Sequence, residues 1–209
     1  MSGAVKLAIV DYGIGNLRSA EKALLRVGAD ARLTSVAADI AAADGVVLPG
    51  VGNFGACMMA LRADGLDGVV LKVVESGVSF LGICVGMQML FDRSNESPSV
   101  PGLGVIAGEV ELLPATVKRP QMQWNRLTTN SGSYLFNGLD DQPWVYLVHS
   151  YHCVPSVETA TIASCEYGIS VSCAVQQNNV TATQFHPEKS GAVGLQILHN
   201  WTAQVASRR

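Results

Sequence analysis

Three side chains in this sequence have the types and surroundings for nucleophilic chemistry: Cys84, His186 and Glu188. Cys84 lies in Phe80-Leu81-Gly82-Ile83-Cys84-Val85-Gly86-Met87-Gln88, where a buried strand predicted over 78–83 meets a predicted helix. A G-x-C-x-G run at a strand–helix junction has the form of a nucleophile elbow, with Cys where such elbows carry Ser. The turn strains its apex residue, and Gly82 and Gly86 let neighbouring backbone approach without a Cβ clash. Such an apex is expected to expose the sulfur. The following helix is expected to turn its free N–H groups and positive end toward it, favouring thiolate. The Val85 N–H would then face an oxyanion formed by attack from Cys84. With 21 Gly and 5 Cys, chance alone supplies roughly 0.05 such matches, so the run decides nothing unaided. A buried Cys in a tight turn explains it as well.

His186 and Glu188 are two residues apart, which in extended chain puts both side chains on one side. Pro187 between them disfavours helix and stiffens the pair. A histidine held by a carboxylate is an oriented base for a thiol. The plain alternative is a surface loop. Pro49-Gly50-Val51-Gly52 follows a predicted strand, and its glycines would let backbone amides face a ligand and complete an oxyanion hole. A simple βα turn reads the same way. His149 and His152 are further candidate bases, but His149 lies in an apolar strand run and is expected to be structural. His199 falls in a predicted C-terminal helix, away from any motif.

The elements that must position these groups alternate. A continuous apolar strand at 6–10, as in buried parallel sheets, is followed by a helix over 17–27 with Gly28 as its stop. Strands at 31–34 and 44–48 and helices at 55–62 and 66–75 come before the Cys84 strand. From about Ser94 turns and short alternating runs predict antiparallel strands, then a hairpin around Asn178-Asn179 and a helix over 192–206. The fold class predicted is α/β: a mostly parallel, doubly wound sheet with helices on both faces and an added antiparallel region in the C-terminal half. Residues 1–209 read as one domain.

Composition narrows the function. A net charge of −3 and a pI near 5.8 argue against broad binding to nucleic acid or anionic membranes. The basic pairs Lys118-Arg119 and Arg208-Arg209 read as solvated. Five scattered cysteines without a C-x-x-C pair suit free thiols in a reducing cytoplasm, and neither a metal site nor a cofactor is expected. No leader is expected, since the N-terminus passes straight into a strand, and no apolar run reaches the roughly 18 residues of a membrane span.

With L-G-I-C-V-G-M-Q, T-Q-F-H-P-E-K-S and the upstream P-G-V-G in order, the sequence resembles the class I (triad) glutamine amidotransferases over nearly its whole length. The segments V-D-Y-G-I-G-N-L-R-S, P-G-V-G-N-F-G, P-Q-M-Q-W-N and V-H-S-Y bring it nearer to those members that serve as glutaminase subunits of a synthase. The resemblance implies Cys84 as nucleophile, His186 as general acid and base, and Glu188 as its orienting carboxylate. It implies an oxyanion hole at Val51, Gly52 and Val85, and an L-glutamine pocket lined by Gly52, Gln88, Ser150 and Tyr151. It also implies that the partner is a (βα)8-barrel cyclase subunit, docked near Asn16, Met122, Trp124, Asn125 and Lys189. Core packing is the alternative for Trp124. Gln121 and Gln123 depart from an expected P-H-M-G-W-N, and Asn53 stands where a small residue is common. These departures bear on coupling to the partner more than on the triad. Rival readings are the glutaminase of a different synthase, a reactive-cysteine redox sensor or chaperone of the same fold, and an inactive subunit.

Overall fold

The computed structural model describes residues 3–130 and 132–208; Met1, Ser2, Ser131 and Arg209, half of the terminal basic pair, lie outside the described residues. The first half alternates as its apolar runs demand. It comprises β1 (Lys6–Val10), α1 (Leu17–Arg26), β2 (Asp30–Thr34), α2 (Ala37–Ala41), β3 (Gly45–Gly50), α3 (Phe54–Ala63), α4 (Leu66–Glu75), β4 (Ser79–Cys84) and α5 (Val85–Gln88). Every residue of β3 and β4 is buried, which is why these strands read as unbroken apolar stretches. The second half adds β5 (Phe91–Ser94), β6 (Ile106–Leu112), β7 (Gln121–Arg126), β8 (Thr128–Thr129), β9 (Trp144–His149), β10 (Tyr151–Pro155), β11 (Thr161–Glu166), β12 (Ser170–Gln177), β13 (Val180–Thr183) and α6 (Gly191–Ser207).

The main sheet runs β2-β1-β3-β4-β13-β12-β10-β6-β5, with β11 and β8 off this path beside β12. From β2 to β13 neighbouring strands are parallel; β12 and β10 begin an antiparallel wing. β7 and β9 form a separate antiparallel ribbon. Helices α1 and α6 pack together, and α2 and α3 both pack on α4. The α/β expectation with an added antiparallel region is met. No helix among the described residues is long and apolar enough to cross a membrane.

This order determines where chemistry can happen. The late strand β13 inserts beside β4, with Thr183 paired to Ile83, while Gly50 at the end of β3 pairs with Cys84. Three carboxyl ends therefore meet, and ligands bind at such strand ends in open α/β sheets. The close approach needs glycine: a Cβ on Gly86 would run into the Leu48 carbonyl, and one on Gly50 would lie 2.7 Å from the Gly86 nitrogen.

One element is shorter than its sequence suggests. The helix after Cys84 lasts a single turn, because the loop before β6 captures the carbonyls that would continue it. Leu103 N–H donates to Met89 O and Val105 N–H to Leu90 O, each at 2.8 Å. The one-turn α2, unanticipated from the sequence, buries only Ile40.

Candidate active site

Cys84 ends β4 at φ 56°, ψ −113°, a left-handed conformation that costs a residue with a Cβ of order 1–3 kcal/mol. Contrary to the expectation of an exposed sulfur, Cys84 is only 4% exposed, at the floor of a cleft of about 350 Å³. The one-turn α5 also weakens the helix-dipole argument, since a macrodipole needs aligned turns. Side chains supply the polar contacts instead. Gln184 Nε2 donates to Cys84 Sγ at 3.7 Å, and its Oε1 accepts from Gln88 Nε2 at 3.0 Å.

His186 and Glu188 meet, but not in extended chain. His186 is extended and the next three residues, Pro187–Lys189, form a 3-10 turn that folds the carboxylate back onto the ring. The Nδ1···Oε1 distance is 2.8 Å, with both side chains 2% exposed. His186 N–H donates to Tyr146 O, and Ser190 Oγ donates to His186 O, so the ring is held from both sides of its backbone. Burial alone would lower its pKa; hydrogen bonds and charge from Cys84 and then Glu188 outweigh this and raise it to about 9.

Val51, Gly52 and Val85 line the same cleft as Cys84 and His186. Two donors hold the loop before them: Tyr12 Oη donates to Pro49 O at 2.7 Å, and Cys57 Sγ to Val51 O at 3.3 Å. Gln88, Ser150 and Tyr151 form another wall. The amide nitrogen of Gln88 donates to Tyr151 O and to Gln184, leaving its Oε1 as the group for a ligand. Glu96, not singled out in the sequence, is the acidic side chain of the wall, anchored by Phe54 N–H at 2.6 Å. Asn53 has a plain structural role: its Oδ1 caps α3 by accepting Ala56 N–H at 2.9 Å.

Met122 and Trp124 project from β7 with 63% and 48% exposure, so core packing of Trp124 is overturned. Their strand alternation sends them to the outer face while Gln121 turns inward and is fully buried. Trp124 packs edge-on to Tyr146, its cross-strand partner, at 6.1 Å, and lies within reach of Gly191. Lys189 is exposed at the cleft, and α1, which Asn16 precedes at half exposure, packs on the 187–189 turn. Asn125 is occupied internally, donating to Glu166 O at 3.0 Å. The exposed Gln123 has no contact that accounts for its departure.

His152 lies by a different depression, beside Glu158 and Ser170, and His199 is exposed on α6. His149 borders the active-site cleft, its Nδ1 2.9 Å from Tyr151 O. Burial depresses its pKa to about 4, so the ring is neutral at pH 7, with its proton on Nδ1. The unfolded chain binds that proton near pH 6.5, so this contribution to stability is complete above 6.5 and is lost as pH falls toward 4. Urea unfolding at pH 7 and 4 should show the wild type losing up to about 3 kcal/mol more than His149→Gln on acidification. Parallel pH curves for the two proteins would refute this assignment.

The family model described as glutamine amidotransferase class-I matches residues 8–205. A Deinococcus radiodurans protein named imidazole glycerol phosphate synthase subunit HisH is 46% identical over 97% of this chain and 95% of its own length. One of the same name from Methanothermobacter thermautotrophicus is 46% identical over 93% of this chain and 96% of its own. Among solved structures, a putative GMP synthase subunit from Thermoplasma acidophilum superposes with a TM-score of 0.75 at 21% identity, covering 100% of this chain and 98% of its own. PurLQS from Thermotoga maritima gives 0.77 at 18% identity over 98% and 99% of the two chains. At such identities these two speak for the fold alone.

Proposed function

The chain belongs to the class-I glutamine amidotransferase family, and on that premise we propose that it is the glutaminase subunit of an imidazole glycerol phosphate synthase. It hydrolyses L-glutamine to glutamate and passes the ammonia to a (βα)8-barrel cyclase subunit, which forms imidazole glycerol phosphate and an aminoimidazole carboxamide ribotide. The observation that carries the chemistry is Cys84 at a strained elbow in one cleft with His186, whose ring is fixed by a buried carboxylate at 2.8 Å.

Cys84 Sγ attacks the side-chain amide carbon, and the carbonyl electrons move to oxygen. N–H groups at Val85 and in the Val51-Gly52 loop donate to that oxyanion. His186, protonated at neutral pH, gives its proton to the amide nitrogen. The C–N bond breaks, ammonia leaves, and a glutamyl thioester remains on Cys84. The now neutral His186 takes a proton from water, whose oxygen attacks the thioester carbonyl. Collapse expels the sulfur and yields glutamate. Gln88 Oε1 and the Glu96 carboxylate suit the substrate α-ammonium, with Ser150 and Tyr151 along the same wall.

The partner face is the outer side of the ribbon, Met122 and Trp124, continuing to Asn16 and Lys189. Tyr146 links this face to the triad, since it packs on Trp124 and its carbonyl accepts His186 N–H at 3.1 Å. Five buried free thiols accord with a cytoplasmic setting. The test is glutamate release with and without the cyclase loaded with its ribonucleotide ligand. The loaded partner should stimulate release by about 5–150-fold, the usual range of a coupling energy. Release that ignores the partner would assign the chain to another synthase.

A further inference from the structure

A bridge of hydrogen bonds joins the nucleophile to the substrate wall, and a single side chain makes it. Cys84 and Gln88 stand at the two ends of the one-turn α5, four positions apart and so on one side of it. The β13–β4 register, with Thr183 beside Ile83, brings the next residue, Gln184, against both of them. Its backbone is fixed there, because Gln184 N–H donates to Cys173 O at 2.8 Å. Both glutamine side chains are buried.

The chemistry of the partners decides which way each amide faces. Tyr151 O can only accept, so the atom of Gln88 at 3.1 Å from it is the nitrogen, Nε2. The same nitrogen lies 3.0 Å from Gln184, so the Gln184 atom there is the oxygen. Gln184 Nε2 is thereby turned to Cys84 Sγ, 3.7 Å away. Neither amide can turn over without setting donor against donor or acceptor against acceptor. Gln88 lines the cleft with Cys84 and His186, and Oε1 is the end of its amide left for a ligand.

We propose that Gln184 is a positioning residue for the glutaminase reaction, holding the Cys84 sulfur with one end of its amide and the oxygen-outward amide of Gln88 with the other. The inference rests on the glutaminase reading and deepens it. An oxygen presented by Gln88 attracts the substrate α-ammonium; a nitrogen there would oppose donor to donor. The hydrogen bond to Sγ fixes the direction from which the sulfur meets the amide carbon, and such alignment governs the rate of attack. One side chain therefore sets the group that binds the α end of the substrate and the group that attacks its far end. Gln184 gives up no proton and bonds to no substrate atom.

The test is glutamate release by the assembled synthase, its cyclase loaded with ligand. Gln184→Met removes both ends of the bridge at similar volume. It should lower kcat by about tenfold or more, through loss of alignment. It should also raise KM for glutamine about fivefold, the weight of one hydrogen bond. When Gln88 is already Met, adding Gln184→Met should change KM by less than about twofold while kcat falls as before. A merely structural role would reduce the folded fraction, lowering kcat and leaving KM where it was, and that result overturns the proposal. So does a KM rise of the same size in both backgrounds, or an unchanged kcat. A second readout needs no variant. In the wild-type chain, alkylating Cys84 with iodoacetamide should shift the side-chain 15N signal of Gln184, and L-glutamate, the product, should shift that of Gln88. A Gln184 signal unmoved by alkylation overturns the proposal as well. Absence of glutamate release from the wild-type complex would instead refute the glutaminase reading, and the 15N signals would still decide whether Gln184 bridges the two groups.

Discussion

Cys84→Ser should lower glutamine-dependent synthesis by at least about 10³-fold while synthesis from added ammonium persists. Oxygen is smaller than sulfur and serine keeps the same branching, so the substitution adds no clash at the elbow, whose φ is 56°, or against its glycines. The chemistry changes instead. A serine hydroxyl is far more weakly acidic than a thiol and a far poorer nucleophile near neutrality. Removing the nucleophile of a hydrolytic triad in general costs factors of this size or larger. Ammonium-driven synthesis is unaffected because it uses only the partner's site. The comparison is made in one assembled sample with glutamine or ammonium as nitrogen source. Loss of both activities would mean that the elbow supports the assembly itself, and loss of neither would place the nucleophile elsewhere.

The strand–turn–helix junction at Cys84 and the nearness of His186 to Glu188 were legible in the sequence because each is local, while the burial of the sulfur and the 3-10 turn at Pro187–Lys189 were not. The parallel core was legible for a similar reason, since strands buried on both faces read as apolar runs, as residues 7–10 of β1 and 80–84 of β4 do. What was hidden is carried by residues of ordinary type brought together from afar. Gln184 reaches Cys84 across 100 positions, and Tyr12 reaches Pro49 across 37. Gln184 had one available signal: it stands two residues before His186 at the end of a strand, a spacing that puts both on one side. The length of α5 was not legible, because its limit is imposed by the 102–106 loop capturing carbonyls and not by a stop signal in its own residues. Asn53 looked like a departure near the oxyanion loop because a helix cap and a ligand contact draw on the same residue types.

Glu188→Gln should reduce glutamine hydrolysis by about 10²–10⁴-fold and move its alkaline limit to lower pH. The carboxylate is buried, its Oε2 has no partner, and its Oε1 meets His186 Nδ1 at 2.8 Å, so the imidazolium is the group that compensates its charge. The pair therefore favours the protonated ring, and Glu188 is one of the two groups that hold the His186 pKa at about 9. Glutamine should accept the Nδ1 hydrogen but carries no charge, so the ring loses its proton at lower pH and fails as general acid sooner. Stability follows the same sign. The folded pKa lies above the unfolded value of 6.5, so the contribution of His186 is complete below pH 6.5 and is lost as pH rises through about 9. The wild type should thus lose stability on going from pH 6.5 to 9.5, and Glu188→Gln should lose less. Measuring kcat/KM against pH alongside urea unfolding separates catalysis from folding. A variant whose alkaline limb coincides with that of the wild type would show that Cys84 alone sets the His186 proton. Glu188 would then be a geometric support for the ring, and its loss would be felt in rate without any change in pH dependence.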